Sequence, residues 1–352
     1  MSNAIGAGEN RAYIYDRKGQ TRLDEIPLAD ITWNRVLSDI SRPTITVAPP
    51  NCTPKMNQLI HPWGVSLVIY RDNDRVWEGP VRKRTDSKTG MTITASDVIG
   101  WTERRVVRTA RAVTGVKVRD ELVWNIQQAF SRDNPNVLAY LTTLPGALGT
   151  VTTDHSLQAS GYYSADLQTL VSAGGRYTAL GRSIMLWDEA YTLGRTETLV
   201  PEKHILSDVT ITEDGDDLIT AAYAQDDSGD VGYYPGTGTE LDAYYGLVEQ
   251  AITVGSGAYT SAALLKFGQS AHNSGYPTPV TIDMPTDAPL QCDAPFPIDS
   301  LVPGMLVPVE TVTATARKVS ATMILSSVTV SQQAGDQETV SLGLSPLSAA
   351  VS

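Results

Sequence analysis

The sequence predicts a mainly β protein with a small α+β unit inserted between two strand-rich parts. Three observations carry this. Short β-branched and aromatic runs punctuated by Asn, Asp and Gly fill both ends of the chain, the pattern of antiparallel hairpins. A helical apolar spacing stands out in the middle. Hydrophobic residues at 41% against 19% charged suffice for a core and exclude global disorder. A length of 352 residues accommodates two or three domains, divided here as 1–105, 106–200 and 201–352.

In the first part, Val65–Arg71 (VSLVIYR) runs apolar, RDND turns the chain, and RVWEGPV follows at 75–81. Residues 86–90 (DSKTG) turn again into MTITA. Residues 30–40 (DITWNRVLSDI) mix two periods and receive no assignment. Arg42-Pro43 leads into TITVAPP, which reads as an edge strand because proline interrupts a ladder.

From Lys117 the period changes. Val118, Leu122, Ile126 and Phe130 recur every fourth residue, one face of a helix ending near Asn134-Pro135. Trp124 lies off that stripe. Ser164 is placed to cap a second helix carrying Leu167, Leu170 and Val171, stopped at Gly174-Gly175. Two strands are expected at 176–181 and 182–189.

The last part opens with strands at 204–212 and 218–224 around the turn EDGDD. The Gly- and Tyr-rich residues 226–246 read as a loop. Thr260 or Ser261 caps a helix to about His272, and residues 277–303 read as extended connection, so a helical and loop insertion occupies about 226–300. MLVPVETV, ATMILSSVTV and ETVSLGL supply three more strands. The hairpin-rich plan at both ends suggests two related barrels.

Charge is uneven. Net charge is −12, yet residues 1–105 carry +3, residues 106–200 are neutral, and residues 201–352 hold 4 basic and 19 acidic residues, a net of −15. Such a surface repels nucleic acid. Arg104, Arg105, Arg108, Arg111, Lys117 and Arg119 form a basic stretch without interleaved aromatics, suited to docking on an acidic neighbour.

The residues assign no catalytic, cofactor-binding or metal-ligating site, and no cofactor is expected. His61, His155, His204 and His272 are not in zinc-ligand spacing and read as structural. Cys52 and Cys292 lie in Pro-rich loops without a helix N-terminus to activate them and read as reduced, partly buried thiols. No GxSxG elbow occurs; Gly268-Gln269-Ser270-Ala271-His272 lacks the second glycine. Gly6-Ala7-Gly8 is no dinucleotide fingerprint. Asp214–Asp217 and Asp226–Asp230 read as solvated turns rather than calcium loops. No pair among the 39 acids is marked for glycoside hydrolysis. Neither a secretory signal nor a membrane anchor is expected, since no apolar run is long enough.

Trp33 with Arg35, the Pro62-Trp63 step, Trp77 with Gly79, and Ala95, Asp97 and Trp101 recur in an order that resembles the tail-tip hub proteins of long-tailed phages, especially those of actinobacteria. LSDVTITEDGDDLITAAYA, YYGLVEQ and LVPGMLVPV resemble the corresponding C-terminal stretches, so the resemblance spans most of residues 10–345. It implies two tube-like β-barrels with smaller domains. It further implies a non-enzymatic homotrimer at the virion tail tip, assembled in the host cytoplasm. The implied partners are the distal tail protein, the tape-measure protein and tail fibres or spikes, with DNA passing through the channel without specific binding. Some relatives carry an added cell-wall hydrolase, and none is expected within these 352 residues. Two further readings stay open: a receptor- or carbohydrate-binding tail module, which fifteen tyrosines and the 228–246 loop would suit, and a cell-wall hydrolase.

Overall fold

A computed structural model describes residues 5–144, 151–205, 209–213, 215–236, 244–254, 260–276, 280–283, 289–292, 294–312 and 318–346. The first stretch forms β1 (Asn10–Asp16), β2 (Arg22–Ile26), β3 (Asp30–Val36), β4 (Thr44–Val47), α1 (Pro54–Leu59), β5 (Val65–Arg71), β6 (Asp74–Ser87) and β7 (Gly90–Ala95). The middle forms β8 (Arg111–Lys117), α2 (Val118–Phe130), β9 (Leu141–Thr143), β10 (Thr152–Leu157), α3 (Tyr163–Ser172), β11 (Gly175–Leu180), β12 (Ser183–Asp188) and α4 (Pro201–His204). The last stretch forms β13 (Thr210–Glu213), β14 (Ala221–Gln225), β15 (Val231–Tyr234), β16 (Glu249–Thr253), α5 (Ser261–Gly275), β17 (Val280–Asp283), β18 (Leu306–Val312), β19 (Lys318–Gln333) and β20 (Thr339–Pro346).

One ten-stranded sheet dominates, in the order β18-β19-β3-β4-β7-β6-β5-β1-β2, with β20 also on β19. The pairs along this path are antiparallel. Its strands alternate as a half-buried sheet requires. In β3, Ile31, Trp33 and Arg35 point inward while their neighbours are half-buried. β5 is buried on nearly every residue, which explains its continuous apolar run. The segment DITWNRV is therefore a strand, and its mixed period arises because a charged residue, Arg35, takes an inward position.

The pairing corrects the expected division. β19 pairs with β3 from Ser327–Val36 to Gln333–Asp30, so strands from the two ends of the chain share one sheet. The compact units are residues 1–208 with 285–312 and 317–345, and residues 209–284 with 313–316 and 346–352. Two separate barrels at 1–105 and 201–352 do not form; among the described residues no sheet closes on itself. The edge reading of TITV is also corrected: β4 lies between β3 and β7, with Pro43 just outside the ladder. The unassigned helix α1 follows Cys52, with Thr53 accepting a hydrogen bond from the Met56 amide.

The inserted elements follow the predicted pattern. Val118, Leu122, Ile126 and Phe130 are all fully buried on α2. Each such side chain contributes roughly 1.5–3 kcal/mol. α3 starts one residue before Ser164, with Tyr162 at its N-cap. β11 and β12 form the expected hairpin, and β9 joins β12 in parallel. The core here is not separate from the first stretch: Ile40, Ile99 and Trp101 pack with Leu122, Phe130, Leu170 and Leu186.

In the second unit, β15, β14 and β16 form a small sheet. Helix α5, capped by Thr260 as expected, packs with Leu264 against Ala224 and Val254. A Cβ at Gly232 would stand 2.5 Å from the Leu265 backbone nitrogen, so this position admits only glycine. β15 replaces part of the loop expected at 226–246. Residues 237–243 of that loop, Asp214 of the first acidic turn, and residues 277–279, 284–288 and 293 of the expected connection lie outside the described residues.

Candidate functional site

The motif residues that suggest a family do structural work. Trp33 donates its indole N–H to Asn10 Oδ1 at 2.9 Å, and Trp77 donates to Ser41 Oγ at 2.8 Å, which lets both rings be buried completely. A Cβ at Gly79 would stand 1.8 Å from the Ser96 carbonyl oxygen. Trp63 adopts a left-handed backbone (φ 64°) after Pro62 and packs 5.2 Å from the Trp101 ring. Arg35 lies buried near Trp33 and donates to the Ile298 and Leu301 carbonyls, and burial pulls its pKa down to about 10.

Asp97 is the most consequential of these residues. Its carboxylate accepts from the amides of Ser41 (2.7 Å), Ile99 (3.0 Å) and Gly100 (3.3 Å), closing the turn that carries Trp101. Burial dominates and raises its pKa to about 6. A raised carboxyl pKa favours the folded state while the group is protonated. Stability held by Asp97 is therefore full below about pH 4 and lost as pH rises toward 6. The urea midpoint is expected to fall across that window, and Asp97→Asn should remove this slope. A rising midpoint that the substitution removes would show that the three amides outweigh burial.

The four histidines do not converge. His61 closes an exposed turn, with Gly64 donating to its carbonyl at 3.0 Å. His204 Nδ1 accepts from the Val200 amide at 3.0 Å, and its ring meets Phe296 edge-on. His272 is buried and stacked on Tyr276 at 4.8 Å. His155 pairs with Asp166 at 3.1 Å, and Asn125 donates to the same carboxylate. Burial raises the Asp166 pKa. This buried pair, eleven residues apart, has no motif that sequence reasoning would detect. Among the described residues no group of three His, Cys, Asp or Glu is placed to hold a metal ion. Asp226 Oδ1 is occupied by the Ser228 amide and hydroxyl and the Asp230 amide, so that acidic stretch closes a turn on itself. Both thiols are free and exposed, rather than partly buried.

Two charged features remain. The unit built on residues 209–284 holds eleven acidic residues and one basic residue, Lys266, a net of −10. Glu213, Asp227, Asp230 and Glu249 are exposed there. On the open face of its sheet, Tyr223 and Tyr233 stack at 4.4 Å and are 41% and 38% exposed.

The second feature is a cleft of about 780 Å³ in the other unit. Arg104, Arg105, Arg108, Arg111 and Arg132 line it together with Trp124. Arg111 holds Glu121 at 2.7 and 3.2 Å and lies over the Trp124 ring. Arg105 holds Asp133 at 2.7 Å, and with Arg17 it pulls that carboxyl down to about 2. The sequence pointed to four of these arginines. Arg132 joins them from the turn that follows α2, while Lys117 and Arg119 are not part of the cleft.

No protein-family model matches the sequence, and no curated protein matches it. Solved structures do. The 43 kDa tail protein of prophage MuSo2 from Shewanella oneidensis superposes with a TM-score of 0.61 at 10% identity, over 95% of this chain and 97% of that one. The prophage tail protein gp18 from Listeria monocytogenes gives 0.56 at 11% identity, over 97% and 96%. A tail protein from Neisseria meningitidis gives 0.54 at 13% identity, over 95% and 96%. At these identities the likeness concerns the backbone, and over nearly its full length the chain has the fold of phage tail proteins.

Proposed function

We propose that the chain is a non-enzymatic structural subunit of a phage tail, the hub at the tail tip. It works as a homotrimer in a ring that joins the tail tube to the distal tip. Its neighbours are the distal tail protein, the tape-measure protein, and tail fibres or spikes. The observation that carries this reading is the fold shared end to end with the Shewanella tail protein. Ring assembly also gives the long open sheet neighbours for its edges, where unpaired strands invite aggregation. The tube-like barrels expected of a hub are, in this reading, completed by adjacent subunits.

The acidic unit suits a wall past which DNA slides. Fixed carboxylates repel phosphates over about 8 Å at physiological salt, so a narrow channel is required. Exposed Glu213, Asp227, Asp230 and Glu249 are the residues assigned to that wall.

A receptor- or carbohydrate-binding module is the second reading, favoured by the exposed Tyr223–Tyr233 pair, since stacked rings suit sugar faces. Electron-microscopic reconstruction of the assembled tail separates the two. Density for this chain as a threefold ring at the tube-proximal tip, with the acidic unit lining the lumen, is the expected result. Density at the far end of a fibre would reject the hub and favour the receptor binder.

A further inference from the structure

We propose that the arginine-lined cleft beside α2 is a docking site for an extended acidic segment of a partner protein. The cleft gathers five guanidinium groups against two lining-adjacent carboxylates, Glu121 and Asp133, which are already engaged by Arg111 and Arg105. Arg104, Arg108 and Arg132 are exposed and make no ion pair among the described residues. Three uncompensated cations concentrated in a concave site attract anions more strongly than the same charges spread on a convex surface. A guanidinium also matches a carboxylate through two parallel hydrogen bonds.

The shape and the backbone favour a peptide over a nucleic acid. A volume of about 780 Å³ lies in the range of sites for small ligands and is too small to seat a duplex. Of the two aromatics lining the cleft, Trp124 is covered by Arg111 at 4.5 Å on one face and packs against the core, and Tyr163 is buried, so neither presents an open platform for a base. β8, whose Arg111 and Ala112 line the cleft, pairs only with β10 in a two-stranded sheet, so among the described residues its other edge is open. An extended segment adds to such an edge through main-chain hydrogen bonds and uses alternate side chains for specificity. Exposed Val106 in the cleft, bridged to the exposed Tyr162, supplies an apolar contact between the charges. The ligand class is thus a strand-forming segment alternating acidic and apolar residues.

The test uses the full chain and a short fluorescein-labelled peptide of alternating Glu and Val, followed by fluorescence anisotropy. Binding is expected, weakening steeply with added salt. Arg108→Glu with Arg132→Glu should weaken it at least about tenfold, which is about 1.4 kcal/mol, with the melting temperature unchanged because both side chains are exposed. The same peptide with Gln for Glu should not bind, a control that needs no variant. The proposal is overturned by equal binding of the Gln peptide or unchanged affinity in the double variant. It is also overturned by tighter binding of a single-stranded oligonucleotide than of the acidic peptide, or by self-association that the double variant abolishes. None of these outcomes depends on where the chain sits in a tail.

Discussion

Replacing Glu338 by alanine is expected to lower the unfolding free energy by about 3–5 kcal/mol, the cost of stranding one member of a buried ion pair. Arg71 on β5 and Glu338, just before β20, are 2% and 0% exposed and meet through Nη2 at 2.5 Å and Nε at 3.0 and 3.1 Å. Gly8 N–H donates to the same carboxylate at 3.1 Å. Removing the carboxylate leaves a guanidinium buried without its principal counter-ion and an amide without its acceptor. The double substitution Arg71→Met, Glu338→Leu should recover most of the loss, because an apolar pair of similar volume needs no desolvation of charge. Urea unfolding of the three variants is the measurement. A loss below about 1 kcal/mol in Glu338→Ala would falsify the view that this pair ties the chain ends together.

A fragment of residues 1–105 is expected not to fold by itself, although its sequence reads as a self-contained set of hairpins. In the full chain β3 takes β19 as its neighbour, and Val328 and Val330 of β19 are fully buried. Arg71 would lose Glu338, and Arg35 would lose the Ile298 and Leu301 carbonyls. Trp101 and Ile99 would lose Leu122, Phe130 and Leu170. The fragment then exposes apolar surface on strands whose edge is also unpaired, a combination that favours aggregation. The expected observations are a denaturant profile without a cooperative transition and strong binding of a hydrophobic dye. A cooperative transition in the isolated fragment would restore an independent N-terminal domain.

The basic run and its cleft divide between what neighbouring residues encode and what only packing decides. The basic run at 104–119 was visible as a string, and an acidic neighbour was a natural partner for it. Which of its cations are spent was not visible. Arg105 and Arg111 are neutralised by Asp133 and Glu121, ten or more residues away, while Arg104, over the Trp63 ring, Arg108 and Arg132 make no ion pair among the described residues. Pairing of this kind is set by which side chains reach across a cleft, and charge counting along a chain has no access to it.

What the sequence determined by itself is what local periodicity encodes. The α2 stripe, the Thr260 cap, the β11–β12 hairpin and the strand character of β5, β18, β19 and β20 follow from side-chain spacing within one element. The ordered Trp, Gly and Asp motifs also point to the phage tail fold, because each of them meets a local packing demand. Gly79 passes under the Ser96 carbonyl, and Asp97 closes its own turn. The tertiary structure alone decided which strands pair. β3 and β19 lie about 300 residues apart in the chain, and their register depends on burying Trp33, Arg35, Val328 and Val330 together. The inward-facing Arg35 breaks the alternation that marks a strand, and it becomes intelligible only when the distant Ile298 and Leu301 carbonyls are brought beside it. Hydrophobic burial and charge pairing act on distance in space, so they place the last strands of the chain in the sheet of the first.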